Sequence, residues 1–353
     1  MNRSRPLTIA LLFATPGTGW GGMEKHVFDL GLELARRGHS VHVMAHGSYR
    51  ARFPAEVHFH PLPVECSRLN PWLRFALRQC LRRIKPDVLH AHGNKAAQLS
   101  GQTPLGLAPL RVGTVHGIKK SHKAFLRQDA VIAVSPRVFE NLEHGNKHLI
   151  YNGIAMDDVS ERAPCSDDYR ASATATDDAA VPTRCISAGR LEAVKGFHTL
   201  IEAWSKLAQP EQLTIYGEGS ERPRLERLID TLNLHNKVTL PGYCEDLQSL
   251  YRHADLTIIS SEREGFSYVL IEALAAGCPV VSTPVAGPVE LLPQSALSHD
   301  GSAESLRAVI DQALSDLPRT RQAQTPAMQR IKTAFTIEAM VDSMERLYRE
   351  AMT

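Results

Sequence analysis

Cysteine is scarce and unpaired in this sequence. The six residues, Cys66, Cys80, Cys165, Cys185, Cys244 and Cys278, include no C-x-x-C. That excludes zinc modules built on paired cysteines. It points instead to reduced thiols in apolar surroundings, as in the cytoplasm. A large net charge is also missing. The formal value is +2, which excludes nucleic-acid binding through bulk charge. No apolar run reaches the roughly 18 residues that span a bilayer. The opening "MNRSRPLTIALLFATPG" places Arg3 and Arg5 before an apolar stretch. That stretch is short, rich in β-formers and followed by glycines, so it reads as a first buried strand and not as a signal peptide.

What is present is a chain built for cores. Its 353 residues are 43% hydrophobic and 22% charged, enough for two domains and too apolar for wholesale disorder. Short β runs alternate with amphipathic helices: "LTIALLFA", a helix near Met23 to Arg37, "HSVHVMA", a helix near Pro71 to Ile84, then "DVLHAHG", "RVGTVHG", "AVIAVS" and "HLIYNGI". This pattern predicts a parallel sheet covered on both faces. It lapses between Ala155 and Pro182, a stretch rich in Asp, Ser, Ala and Thr, and restarts at "TRCISAGR". The expected division is 1–160, a linker at 161–183, 184–334, and a last helix within 335–353. Ligands of such sheets gather beyond the carboxyl ends of the strands, so a cleft between two domains is the expected site.

Four stretches bear on chemistry. In "GTGWGGMEKH", Gly17, Gly19, Gly21 and Gly22 precede a helix start, where free N–H groups favour phosphate. A plain flexible turn is the alternative. In "SAGRLEAVKG", Arg190 as a fork and Lys195 as a point charge would neutralise a diphosphate. The alternative is two ordinary surface cations. Gly217 and Gly219 end a strand in "YGEGSERPRLERL", where Glu218 is expected to shape the loop. In "SEREGFSYVLIEALAAGCPVV", Glu264 precedes an otherwise apolar helix, roughly Ser267 to Ala276, and Glu272 lies inside it. A buried carboxylate needs donors. Sugar or ribose hydroxyls would serve, as would an internal Arg or backbone amides, and the residues alone leave both open. Of the 16 histidines, His90 is expected to be structural and His92 to line the cleft, and none is assigned to a metal.

Taken together, these stretches resemble the family-four retaining glycosyltransferases, and the resemblance spans nearly the whole chain. The E-x7-E spacing from Glu264 to Glu272 is similar to the family signature. So are "GGMEKHVFDLGLELARRGHSVHV", the histidine-bearing strand ends "DVLHAHG" and "TVHG", and "AGRLEAVKGFHTLIEA"; "IYNGI" departs by placing Tyr151 where proline is usual. The resemblance implies the GT-B fold, two Rossmann-like parallel-sheet domains facing across a cleft, with the last helix crossing back to the N-terminal domain. It implies that Glu272 holds a nucleotide ribose and Glu264 the donor sugar. Arg190 and Lys195 would hold the leaving diphosphate. Gly21, Gly22 and Gly217 would border it, and Gly265, Phe266 and Ser267 would offer main-chain N–H groups. His116 would meet the sugar, with His92 and Asn152 lining the cleft. No D-x-D occurs, so no required metal or other cofactor is expected.

The helix "NPWLRFALRQCLRRIKPD" carries Arg74, Arg78, Arg82 and Arg83 beside Trp72, Leu73, Phe75, Leu77 and Leu81, and "HGIKKSHKAFLR" adds Lys119, Lys120, Lys123 and Arg127. Such a face suits an anionic membrane; a sheet-covering helix with solvated arginines is the alternative. The expectation is a cytoplasmic, peripheral hexosyltransferase using a nucleoside diphosphate sugar, UDP-sugar favoured, on a lipid-linked or lipopolysaccharide-core glycan. A sugar-nucleotide epimerase and an inactive sugar-nucleotide-binding scaffold are the rivals.

Overall fold

The computed structural model describes residues 5–17, 19–118, 121–156, 183–207 and 211–352. The chain forms two compact units, one of Met1–Ile154 with Phe335–Thr353, the other of Ala155–Ala334. The low-complexity segment between Ala155 and Pro182 lies outside the described residues from position 157 on, as do Lys119, Lys120 and Cys165.

In the first unit, strands β1 (Thr8–Phe13), β2 (Ser40–Ala45), β3 (His58–Pro61), β4 (Val88–His92), β5 (Leu110–Val115), β6 (Ala130–Ala133) and β7 (Lys147–Leu149) form one parallel sheet. Its order is β3-β2-β1-β4-β5-β6-β7. The helices are α1 (Gly22–Arg36), α2 (Pro71–Ile84), α3 (Gly93–Gly101) and α4 (Pro136–Glu140). β1 and β4 are buried almost throughout, as central strands covered on both faces must be. The apolar pattern marks these strands well. It does not mark β3, whose "HFHP" is a half-exposed edge, or α3, which starts directly at the end of β4.

The second unit repeats the plan with β8 (Arg184–Ala188), α5 (Phe197–Trp204), β9 (Gln212–Tyr216), α6 (Arg222–Thr231), β10 (Val238–Gly242), α7 (Leu247–His253), β11 (Leu256–Ile259), α8 (Tyr268–Ala275) and β12 (Val280–Ser282). The sheet order is β10-β9-β8-β11-β12, again all parallel. Helices α9 (Pro288–Leu291), α10 (Ala303–Ser315), α11 (Leu317–Ala323) and α12 (Thr325–Ala334) complete it. In both sheets the chain winds outward from a central pair, β1 with β4 and β8 with β11. Connections leave such a pair in opposite directions and open a crevice at its carboxyl end.

The last helix, α13 (Ile337–Glu350), belongs to the first unit and packs on α1. Its stripe Ile337, Met340, Val341, Met344, Leu347 and Tyr348 is buried at helical spacing. Arg37, just past α1, binds Asp342 at 2.5 Å and Glu345 at 2.6 Å, and Glu345 also meets His39 at 2.6 Å. Apolar burial supplies most of the attachment; the ion pairs fix its register.

Helix α2 divides its residues differently from a single apolar face. Leu73, Leu77 and Leu81 point inward and are buried, while Trp72 and Phe75 are exposed. Arg74 is drawn to Gln102, so only Arg78, Arg82 and Arg83 stand exposed. Asn70 caps the helix through the N–H groups of Trp72 and Leu73. None of the five described cysteines is in a disulfide; Cys185 and Cys278 are buried, and Cys66, Cys80 and Cys244 are only partly so.

Candidate active site

The second unit gathers its polar groups where β8 and β11 diverge. The loop after β8 carries Arg190 and Lys195; the loop after β11 carries Glu264. Lys195 Nζ lies 2.6 Å from Glu264 Oε1, and Ser261 Oγ donates to the same oxygen at 2.7 Å. Ser260 Oγ donates to the Lys195 carbonyl at 2.9 Å, and the Glu262 N–H to the Val194 carbonyl at 2.9 Å. The two loops are therefore stapled through side chain and backbone. Arg190 is exposed beside them, with no ion pair among the described residues.

Two glycines make this close approach feasible. Gly196 has φ +63°, and a Cβ there would lie 2.1 Å from the Ser260 carbonyl oxygen. Gly217 has φ +146°, and a Cβ would lie 1.8 Å from the Gly189 carbonyl. Glu218 anchors the adjoining loop by two bonds to Arg222, each 2.9 Å.

Behind the loops, α8 begins at its N-cap Ser267, whose side chain makes no capping bond. Gly265, Phe266 and Ser267 are buried. Glu272 sits inside the same helix at 7% exposure. Its neighbour Tyr251, on α7, is fully buried. Burial first, then the Glu272 charge, push the Tyr251 phenol well above its ordinary pKa. The phenol stays protonated, and its oxygen has no hydrogen-bond partner among the described residues. Tyr251 is the residue that sequence reasoning misses: a tyrosine at an apolar helix position carries no sign of a carboxylate neighbour.

In the first unit, Gly21 caps α1, and its N–H donates to Glu24 Oε2 at 3.1 Å. That donor is occupied internally. Ser48 Oγ and Tyr49 Oη hold the loop before it, donating to the carbonyls of Gly17 at 3.0 Å and Gly19 at 2.8 Å.

The carboxyl ends of β4 and β5 bring three histidines together with a fourth. His92 Nδ1 and His116 Nε2 are hydrogen-bonded at 3.2 Å. His26, on α1, lies edge-on to His116 with centroids 4.7 Å apart, and its Nδ1 bonds Asn152 Oδ1 at 3.0 Å. His90 bonds Tyr348 Oη and Thr114 Oγ1, each at 2.7 Å. Both its nitrogens are satisfied, so it is structural, as its mid-strand position predicts. Burial lowers the His26 pKa to about 4. Burial and then the neighbouring rings take His92 and His116 well below the ordinary value. All are neutral imidazoles near pH 7.

Two family models divide the chain between them. "Glycosyltransferase Family 4" matches residues 20–158, and "Glycosyl transferases group 1" matches residues 180–330. The chain belongs to the family 4 glycosyltransferases. Among characterised relatives, this glycosyltransferase is 28% identical over 296 residues to the lipopolysaccharide core biosynthesis glycosyltransferase LpsE of Rhizobium meliloti, covering 83% of each chain. Among solved structures it resembles sucrose-phosphate synthase from Thermosynechococcus elongatus, with TM-score 0.82, 22% identity and 97% and 98% of the two chains covered. It also resembles Anabaena HepE in complex with UDP-glucose, with TM-score 0.82, 20% identity and 97% and 99% covered. These likenesses establish the GT-B fold for the glycosyltransferase. The loops that carry Lys195 and Glu264 and the helix that carries Glu272 fall within the group 1 match, and His26, His92, His116 and Asn152 within the family 4 match.

Proposed function

We propose that this glycosyltransferase works with retention, moving a sugar from a nucleoside diphosphate sugar, UDP-sugar favoured, to a lipid-linked or lipopolysaccharide-core glycan, without a required metal. The observation that carries the reading is the cation–carboxylate group of Lys195 and Glu264 in front of buried Glu272, at the crevice of the second sheet. Arg190 and Lys195 stabilise negative charge on the departing diphosphate. Glu264 has one oxygen engaged by Lys195 and Ser261 and turns the carboxylate toward sugar hydroxyls. Glu272, with the protonated Tyr251 phenol nearby, accepts ribose hydroxyls. The leaving diphosphate deprotonates the incoming acceptor within a short-lived oxocarbenium-like ion pair, so the protein acts by positioning and electrostatics. Neutral His116 bonds a sugar hydroxyl. The UDP-glucose held by Anabaena HepE and the lipopolysaccharide-core role of LpsE support the donor and acceptor classes.

The direct test follows donor consumption and product anomeric configuration by NMR with UDP-sugars and a core-oligosaccharide acceptor, with and without EDTA. Transfer with the donor configuration kept, undiminished by chelator, is expected. An inverted product overturns retention. Loss with EDTA and rescue by magnesium overturns metal independence. Epimerised nucleotide sugar without transfer favours the epimerase rival. For Glu272→Gln, donor affinity should fall by about 1–3 kcal/mol with the fold intact. Unchanged affinity in a folded variant removes Glu272 from the donor site.

No helix among the described residues is long and apolar enough to cross a membrane. The acceptor would be met instead by a surface of the first unit. Trp72 and Phe75 stack 5.8 Å apart at 63% and 50% exposure, with Leu69, Leu105 and Leu126 also exposed. Arg68, Lys123 and Arg127 line a shared depression with Leu126. Attachment to the cytoplasmic face of the inner membrane would join these apolar contacts to roughly 1 kcal/mol per basic residue, fading with salt. The protein should sediment with anionic vesicles at low salt and poorly with neutral ones. Trp72→Ala together with Arg78→Gln and Arg82→Gln should release it while donor hydrolysis persists. Wild-type protein that stays in the supernatant with both vesicle types ends this reading.

A further inference from the structure

We propose that His26, His92 and His116 form a binding site for a divalent d-block cation of the zinc class, and that the ion inhibits transfer by occupying the His116 imidazole. The inhibitory half rests on the role given to His116 above; the binding half does not.

Each of the three rings brings a nitrogen to within 4.8 Å of the other two, and among the described residues this is the group that could hold a metal ion. The His92 and His116 nitrogens already stand 3.2 Å apart, near the ~3.4 Å between ligands of one tetrahedral zinc ion. The third nitrogen, on His26, lies within 4.8 Å of these two. His26 is also prepared electronically. Asn152 Oδ1 is an acceptor, so the His26 Nδ1 bonded to it carries the proton, and Nε2 is left as a bare lone pair. That Nε2 is buried with no partner among the described residues; on His92 it is Nδ1 that faces His116, and Nε2 carries that ring's proton when Nδ1 holds the ion. A metal-binding imidazole characteristically donates its other N–H to a carbonyl or carboxylate, which fixes the tautomer. Asn152 supplies that support to His26. One proton lies in the His92–His116 hydrogen bond, and binding of the ion moves it to the far nitrogen of its ring or releases it. Three imidazoles without a carboxylate suit zinc, cobalt, nickel or copper, and not magnesium or calcium. Of the three, His26 and His92 are buried and His116 is half-buried.

The sequence gives no sign of this group. His26 is 66 positions from His92 and 90 from His116 by residue number, and each lies in a separate element. An ion there would not serve the reaction: it would hold the imidazole that meets the sugar.

The test uses the full chain freed of metal by chelator and titrated with Co²⁺, whose visible absorption is strong in four- and five-coordinate nitrogen sites. One saturable equivalent is expected. His26→Gln should weaken binding by more than about tenfold, and Asn152→Ala by about tenfold or more, through the tautomer alone. Strands β2 and β3 carry a separate surface cluster, with the His42 ring stacked on His58 and His60 at 4.8 and 5.2 Å, His58 exposed and the other two half-buried; replacing all three by glutamine should leave the spectrum intact. Zn²⁺ should displace Co²⁺, suppress donor consumption in the wild type and be reversed by EDTA. The residual activity of His26→Gln should resist the same zinc concentration. No saturable absorption overturns the site, as does wild-type affinity in both His26→Gln and Asn152→Ala, or loss of the signal with the surface cluster. If His26→Gln fails to fold, Asn152→Ala decides. Cobalt binding without zinc inhibition overturns the inhibitory half alone. A chain that binds cobalt yet transfers no sugar overturns the proposed function and not the metal site.

Discussion

Lys195→Ala should lower turnover by about 10²–10³-fold while the fold survives, because a preorganised cation facing a leaving group is worth that much in transition-state stabilisation. The stability side of the argument is local. Lys195 and Glu264 side chains are 23% and 11% exposed, so breaking the pair costs more than an exposed pair would. Ser261 still donates to Glu264 Oε1 at 2.7 Å, however, and the penalty should stay near about 1 kcal/mol. Lys195→Arg should rescue little, since a planar fork cannot replace a compact ammonium seated between a carboxylate and a diphosphate. Thermal unfolding and single-turnover kinetics on the same samples separate the effects. A folded Lys195→Ala enzyme within tenfold of wild-type turnover would remove Lys195 from the reaction.

The second large effect is expected at Gly196, on stability. Gly196→Ala should destabilise the second unit by on the order of 3–5 kcal/mol. Left-handed backbone alone accounts for only about 1–2 kcal/mol of this. The rest comes from a methyl 2.1 Å from the Ser260 carbonyl oxygen. Relieving that overlap separates the loops after β8 and β11, lengthening the Ser260–Lys195 bond and pulling Lys195 from Glu264. Gly277 is the control. Its φ is +73°, yet nothing lies within 4 Å of a Cβ there, so Gly277→Ala should show the backbone penalty alone. Urea unfolding of the two variants measures the difference. Equal losses would mean that the close approach contributes nothing.

Much of the candidate site in the second unit is legible because it is local. Glu264 and Glu272 stand eight positions apart across one loop and one helix start. Arg190 and Lys195 share a single loop. Once β8 and β11 are recognised as strands, parallel pairing carries both loops to the same sheet end. The basic helix is legible only in part. Its hydrophobic spacing predicts α2, but the division into inward Leu73, Leu77 and Leu81 and outward Trp72 and Phe75 depends on which face meets the sheet. Gly21 shows the limit of motif reading. The glycine and the helix start are where the sequence predicts, but Glu24 takes the N–H, because a carboxylate three residues into a helix can reach back to the cap.

By itself, the sequence determined the two α/β halves, the strands with their loops, and the carboxylates and cations of the candidate site in the second unit. Alternating apolar runs, strand-end glycines and fixed short spacings are properties of contiguous residues. The resemblance implies that the last helix returns to the N-terminal domain; only the tertiary structure decided that it docks on α1, that Lys195 pairs with Glu264, that Tyr251 neighbours Glu272, and that His26, His92, His116 and Asn152 converge. Each of these joins residues from separate elements. Their meeting depends on sheet order and helix docking, and buried apolar area across the whole unit sets those, with no signal carried by the meeting residues themselves.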